Sequence, residues 1–160
     1  MAKNKEEKTN VMRVLEQKKI AYTAHTYPHE EGMAVDGVTV AQSMGFDPAI
    51  VFKTLVARGA SKQYYVFDVP VAENLDLKKA AKAVGEKSIE MIHQKELLPL
   101  TGYVHGGCSP VGMKKLFPTV FHSSAENLAA MIVSAGKIGY QVELAPHDLA
   151  ALVRAKFADI

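Results

Sequence analysis

The sequence holds one cysteine, Cys108. No disulfide framework can therefore form within the chain, and no zinc site made of several cysteines can be assembled. Long apolar runs are missing too: nothing approaches the roughly 20 apolar residues that span a bilayer. The opening MAKNKEEKTN is polar and charged with no apolar stretch behind it, which does not suit a signal peptide. Charge of one sign is not in excess. Nineteen basic residues against 17 acidic ones leave +2, which excludes a histone-like polycation and allows only a local basic patch. Internal repeats and low-complexity linkers are also absent. What remains is 160 residues, 48% hydrophobic and 22% charged, the proportions of a globular domain with a sizeable core. The expectation is one domain over residues 1–160, cytoplasmic, with no membrane partner.

Periodicity and punctuation give the elements. Val11, Val14, Leu15 and Lys18 share a helical face, with Asn10 standing as N-cap. Residues 21–27 read as a strand closed by Pro28, and 38–44 as a helix ended by Gly45. Asp47-Pro48 opens a further helical turn. Residues 51–58 and 64–69 flank Gly59-Ala60-Ser61-Lys62-Gln63 as a hairpin. Asp76 caps a helix over 77–84, a short strand follows at 88–92, and a helical turn at 94–98. Strands at 119–122, 131–134 and 140–144 precede a helix from Pro146 to Val153. A doubly wound parallel sheet would alternate strand and helix more strictly. The pattern predicts an α+β fold: a mixed, largely antiparallel sheet, curled into a barrel, with helices outside.

Three features could carry chemistry. The first is the run Gly102-Tyr103-Val104-His105-Gly106-Gly107-Cys108-Ser109-Pro110-Val111-Gly112, whose glycines let backbone N–H groups approach an anion. Gly107 and Gly112 have P-loop spacing, but the lysine arrives one place late, no Ser or Thr follows it, and Pro110 deletes a donor. A tight structural turn is the simpler reading. The second is Cys108 with His105 three residues earlier; a lone cysteine is more often an apolar filler than a nucleophile. The third is Lys53, inside Ile50-Val51-Phe52-Lys53-Thr54-Leu55-Val56. A lysine there must snorkel, pair or meet an anion in a cavity, or else it guards a strand edge; the residues leave both readings open. Six scattered histidines form no metal-binding spacing, His25 and His29 being split by Pro28. No metal and no cofactor are expected.

Taken together, several segments are more specific than any one of them. His25-Thr26-Tyr27, Phe52-Lys53-Thr54-Leu55, Leu75 to Lys82, Thr101 to Lys115, Val133-Ser134 with Gly136-Lys137 and Gly139, and the ending Ala155 to Ile160 resemble the YbaK/EbsC family of bacterial Cys-tRNA(Pro) deacylases. That family is similar to the editing domain inserted in many prolyl-tRNA synthetases. The resemblance implies a mixed β-barrel and trans-editing of mischarged tRNA, needed because binding alone separates near-isosteres such as cysteine and proline poorly. It implies that the substrate's own thiol attacks the ester, giving a cyclic thiolactone and free tRNA.

Carried onto this chain, the family's essential lysine is Lys53 and its GxxxP motif runs from Gly106 to Pro110. Tyr27, Thr54, Gly106, Gly107, Ser109, Pro110 and Ser134 would surround the substrate. The implied partners are the acceptor end of a mischarged tRNA and prolyl-tRNA synthetase. An Ala-tRNA(Pro) deacylase and a non-catalytic module that binds acceptor ends are the alternatives. Cys108 stands where the family usually has an apolar residue, Ala135 where it has glycine, and Gln141 where it has an acidic or small polar residue.

Overall fold

The computed structural model describes residues 8–160; residues 1–7, on which the reading of the chain's opening rests, lie outside the described residues. Strand β1 is Thr23–Thr26, β2 Phe52–Gly59, β3 Tyr64–Pro70 and β4 Ile89–Met91. Later in the chain come β5 (Thr119–His122), β6 (Met131–Ser134), β7 (Tyr140–Leu144) and β8 (Lys156–Ala158). The helices are α1 (Asn10–Gln17), α2 (Gly37–Met44), α3 (Leu77–Val84), α4 (Gln94–Thr101) and α5 (Pro146–Val153). Five strands form one sheet in the order β4-β2-β3-β5-β8, and three form a second in the order β1-β7-β6.

The class is the expected α+β, with four antiparallel pairings and two parallel ones, β3–β5 and β5–β8. The barrel is not. The two sheets meet at a single parallel bridge, Val51 to Ile132, and no ladder continues from it. Closure would need β6 to run along β2; instead the edge of β2 beyond the bridge is left unpaired.

Strand β2 reads as a near-continuous apolar run because both of its faces are covered. Alternation turns Phe52 and Val56 into the larger core, with Val66, Phe121, Val133 and Val142, against α1 and α5. It turns Leu55 and Ala57 into a second core with Phe67, Val69 and the alanines of α3. A third cluster of Ala41, Val51, Val71 and Ile132 packs the seam between the sheets.

Most elements stand within a residue or two of their sequence reading. Helix α1 is capped by Thr9 rather than Asn10: the Thr9 hydroxyl accepts from the Met12 N–H at 3.3 Å, and the one-residue shift buries Val11, Met12 and Leu15. Helix α4 continues past Pro99 to Thr101, where the Thr101 hydroxyl donates to the Leu97 carbonyl at 2.7 Å. Strand β8 was not legible because three residues carry no period; it exists through its parallel pairing with β5, Phe121 opposite Phe157.

Ile132 is fully buried at the seam. Ile132→Ala should lower the unfolding free energy by about 2–5 kcal/mol through lost burial and a residual cavity. Urea denaturation checks this, and a midpoint matching the parent would contradict the seam's importance.

Candidate functional site

A cleft of about 330 Å³ opens beside the unpaired edge of β2. One wall is residues 51–55; the others are the start of α2 with Val35 and Asp36, the His105–Gly106 turn with Cys108, and Tyr27, just past β1, with Ser134 and Gln141 of the smaller sheet. The ladder explains why backbone faces this space. The Val71 N–H donates to the Val51 carbonyl at 2.8 Å, and the Gly59 N–H to Gln63 at 2.9 Å. In an antiparallel pair these bonds alternate, so odd-numbered residues of β2 point their N–H and C=O toward β3 and even-numbered ones point away. On that far side β4 covers residues 57–59 and the Ile92 N–H donates to the Val56 carbonyl at 3.4 Å, which leaves Thr54 uncovered. The N–H and C=O of Thr54 therefore face the cleft as a donor and an acceptor.

Lys53 is half-buried, and alternation places its side chain on the face of β2 opposite that of Thr54. Both line the cleft, which wraps around the strand edge. Burial holds the Lys53 ammonium below the usual lysine range, while the charges of Asp36 and Glu73 favour the protonated form. Among the described residues no carboxylate forms a direct ion pair with it. Asp36 is already engaged: it caps α2, accepting from the Thr39 N–H at 3.0 Å and the Thr39 hydroxyl at 2.7 Å. Those bonds hold the Asp36 carboxyl low. The Lys53 cation thus faces the cleft with charge to spare.

Behind Thr54 lies Asp68, its register partner on β3. Asp68 is fully buried. Its Oδ1 accepts from the Thr54 hydroxyl, and its Oδ2 has no partner among the described residues. Burial pushes this carboxyl up to about 7, against the pull of the Thr54 bond. Cys108, 8% exposed in the cleft wall, is pushed up to about 12, first by burial and then by the Asp68 charge. It is held as the neutral thiol, not as a nucleophile. Gln141 is nearly as buried, and its Oε1 is likewise unpartnered.

The structure brings Tyr27, Lys53, Thr54, Gly106 and Ser134 to one cleft. Tyr27 is buried, its N–H donating to the Gly139 carbonyl at 3.0 Å. Ser134 is buried too, and its Oγ accepts from the Gly136 N–H at 3.1 Å. Gly106 has φ +90°, and a Cβ there would stand 2.7 Å from the Ala34 methyl, so only glycine fits. Gly107, Ser109 and Pro110 are not among the residues lining the cleft. Gly107 packs on the backbone of Lys137 and Ile138, and a Cβ there would lie 3.1 Å from the Ile138 nitrogen. Ser109 is buried with its Oγ accepting from the Val111 N–H at 3.2 Å, the geometry of a turn.

Sequence reasoning passed over Asp36 and Asp68. A signal for Asp68 was present: it is the lone charge in Tyr64-Tyr65-Val66-Phe67-Asp68-Val69, the same anomaly that drew attention to Lys53.

Comparison with known proteins converges on one family. A model of the aminoacyl-tRNA editing domain matches residues 29–152, a span that includes every cleft-lining residue except Tyr27. The chain is 46% identical over 161 residues to EbsC of Enterococcus faecalis, described as a candidate Cys-tRNA(Pro)/Cys-tRNA(Cys) deacylase, covering 100% of this chain and 98% of that one. Among solved structures, a candidate trans-editing enzyme for prolyl-tRNA synthetase superposes with a TM-score of 0.76 at 26% identity, covering 93% of this chain and 94% of that one. A scaffold protein used for computational epitope grafting superposes with a TM-score of 0.81 at 25% identity, covering 94% and 93%.

The elevated Asp68 carboxyl has a consequence for stability. Its pKa is higher folded than unfolded, so its contribution is fully present below about pH 4 and is lost as pH rises through about 7. The loss is on the order of 4 kcal/mol. Asp68→Asn keeps the shape and removes the charge. Urea unfolding at pH 5 and pH 8 should show the parent losing stability relative to the variant at the higher pH. Parallel behaviour of the two proteins would contradict the burial of an ionisable carboxyl here.

Proposed function

This chain belongs to the aminoacyl-tRNA editing domain family, and from that membership we propose that it is a trans-editing deacylase that removes cysteine from mischarged Cys-tRNA(Pro). In this reading residues 1–160 act as one editing domain in the cytoplasm. The substrate is an ester between the cysteine carboxyl and the terminal ribose of the tRNA acceptor end. The observation that carries the reading is Lys53: a cation with no direct ion pair among the described residues, on the wall of a small and largely apolar cleft.

A fixed positive charge at that point stabilises the oxyanion that forms when the ester carbonyl is attacked. The Thr54 N–H, on the unpaired strand edge, supplies a donor for the same oxygen. Gly106 lets the opposite wall come close, and Tyr27 and Ser134 complete the enclosure. The nucleophile is the thiol of the substrate cysteine. A sulfur–carbon bond forms at the ester carbon, the bond to the ribose 3′ oxygen breaks, and the thiol proton ends on that oxygen. The products are a cyclic thiolactone and free tRNA. The protonated state of Cys108 supports a substrate nucleophile over a protein one, since the thiol in the cleft wall is not poised to ionise.

A charge of only +2 supplies little sequence-independent attraction to a polyanion. That supports an editing role in company with prolyl-tRNA synthetase, which would deliver the acceptor end.

Incubation with Cys-, Ala- and Pro-charged tRNA(Pro) tests the function. The expected result is rapid loss of the cysteine ester alone. Preferred loss of alanine would make the protein an alanine editor, and no loss of any ester would leave a binding module. Lys53→Ala should reduce kcat about 10²–10³-fold while melting like the parent. Near-parental turnover by that variant would end the assignment of Lys53. A further expectation separates the two thiols: Cys108→Ala should deacylate within a few-fold of the parent, whereas Ser-tRNA(Pro) should be nearly inert, a hydroxyl being the poorer nucleophile. A covalent adduct trapped on Cys108 during turnover would reverse this reading.

A further inference from the structure

Asp68 is an expensive residue to keep. A carboxyl with no solvent exposure, and with one oxygen lacking a partner among the described residues, weakens the fold when ionised. Asparagine would keep an acceptor for the Thr54 hydroxyl without an ionisable charge. Phe121, its neighbour on β5, offers only apolar contact. The bond from the Thr54 hydroxyl is its sole hydrogen bond among the described residues.

That bond fixes what Thr54 can do in the cleft. A hydroxyl has one proton, and the Thr54 proton is directed at Asp68 Oδ1. What Thr54 Oγ1 has left for a ligand is acceptor capacity. Resting on the deacylase reading above, we infer that Thr54 and Asp68 form a two-step proton relay that deprotonates the thiol of the bound cysteinyl ester. The substrate S–H gives its proton to Thr54 Oγ1 as the Thr54 proton passes to Asp68 Oδ1. The sulfur attacks the ester carbon, and the bond to the 3′ oxygen breaks. The proton then returns from Asp68 through Thr54 to the departing oxygen, which leaves the pair unchanged after a turnover.

The surroundings favour each half of the cycle. Neutralising Asp68 relieves a buried charge, so the low-dielectric site drives proton uptake. Its carboxyl, raised by burial to about 7, is matched to a thiol near neutral pH. Few other titrating groups face it. The Cys108 thiol feels the Asp68 charge and stays neutral, while the Lys53 ammonium takes its charge interactions from Asp36 and Glu73.

The test is kcat and KM for Cys-tRNA(Pro) from pH 5.5 to 9, with the thermal melt of each variant as a control. In the parent, kcat should rise with pH to a plateau above about 7. Asp68→Asn should lower kcat at pH 7 by roughly 10²–10⁴-fold with little change in KM. Its rate should then climb with pH toward the thiol's own ionisation near about 8.5, closing the gap at the alkaline end. Thr54→Val should behave in the same way, and Thr54→Ser should restore activity by restoring the hydroxyl. If Asp68→Asn fails to fold, the Thr54 pair decides alone. A parental pH profile in Asp68→Asn or Thr54→Val, or a loss that is uniform across pH, overturns the relay. Absence of turnover by the parent protein overturns the deacylase reading and the relay together.

Discussion

Strand β2 is hydrogen-bonded along its whole length on one side and only from Val56 to Gly59 on the other. This asymmetry is the constraint on which the rest of the molecule depends. A strand edge that is unpaired and open to solvent invites another strand. Here the single bridge at Val51 draws the smaller sheet up to that edge, and no second bridge follows. The space left between is the cleft, which the Thr54 backbone groups face. The same geometry that keeps the barrel open supplies the site.

Around that edge the chain keeps two charges of opposite sign on opposite faces of one strand pair. Lys53 projects from one face, where Asp36 and Glu73 lie close enough to favour its charge but not to quench it. Thr54 and Asp68 project from the other, with Val66 and Phe121 beside them in the larger core. Charges placed so deep weaken the fold, and they persist where function gives a return. The close packing around them, with Phe67 and Phe121 free of exposed surface, is what allows the sheet to carry them.

Cys108 illustrates how environment rather than residue type sets chemistry. A thiol in a cleft wall, three residues from a histidine, has the composition of a nucleophilic pair. Burial beside an anion raises its pKa and removes the reactivity, whereas in the proposed mechanism a substrate thiol meets a base and an oxyanion site. The protein holds its own sulfur neutral in the place where it is proposed to activate another.

The sequence by itself determined the local elements. Asp76 before an apolar period, Gly59 to Gln63 between two β runs, and Gly136 with Gly139 between two more each act within a few residues, so helix and hairpin positions could be read directly. It also exposed Lys53, because a charge in an apolar run is visible without coordinates, and the same rule applied to Asp68 would have found it. Periodicity and capping do not relate residues far apart in the chain, and only the family resemblance grouped such residues around a substrate. Only the tertiary structure set Tyr27, Lys53, Gly106 and Ser134 around one cleft, and turned Gly107 and Ser109 away from it into packing and turn roles. It alone decided that the sheets stop short of closing, and it alone created β8 through pairing with β5. The reason is physical: periodicity and capping report which face of an element is apolar, whereas strand pairing across long loops and the burial of a titratable group depend on which faces meet.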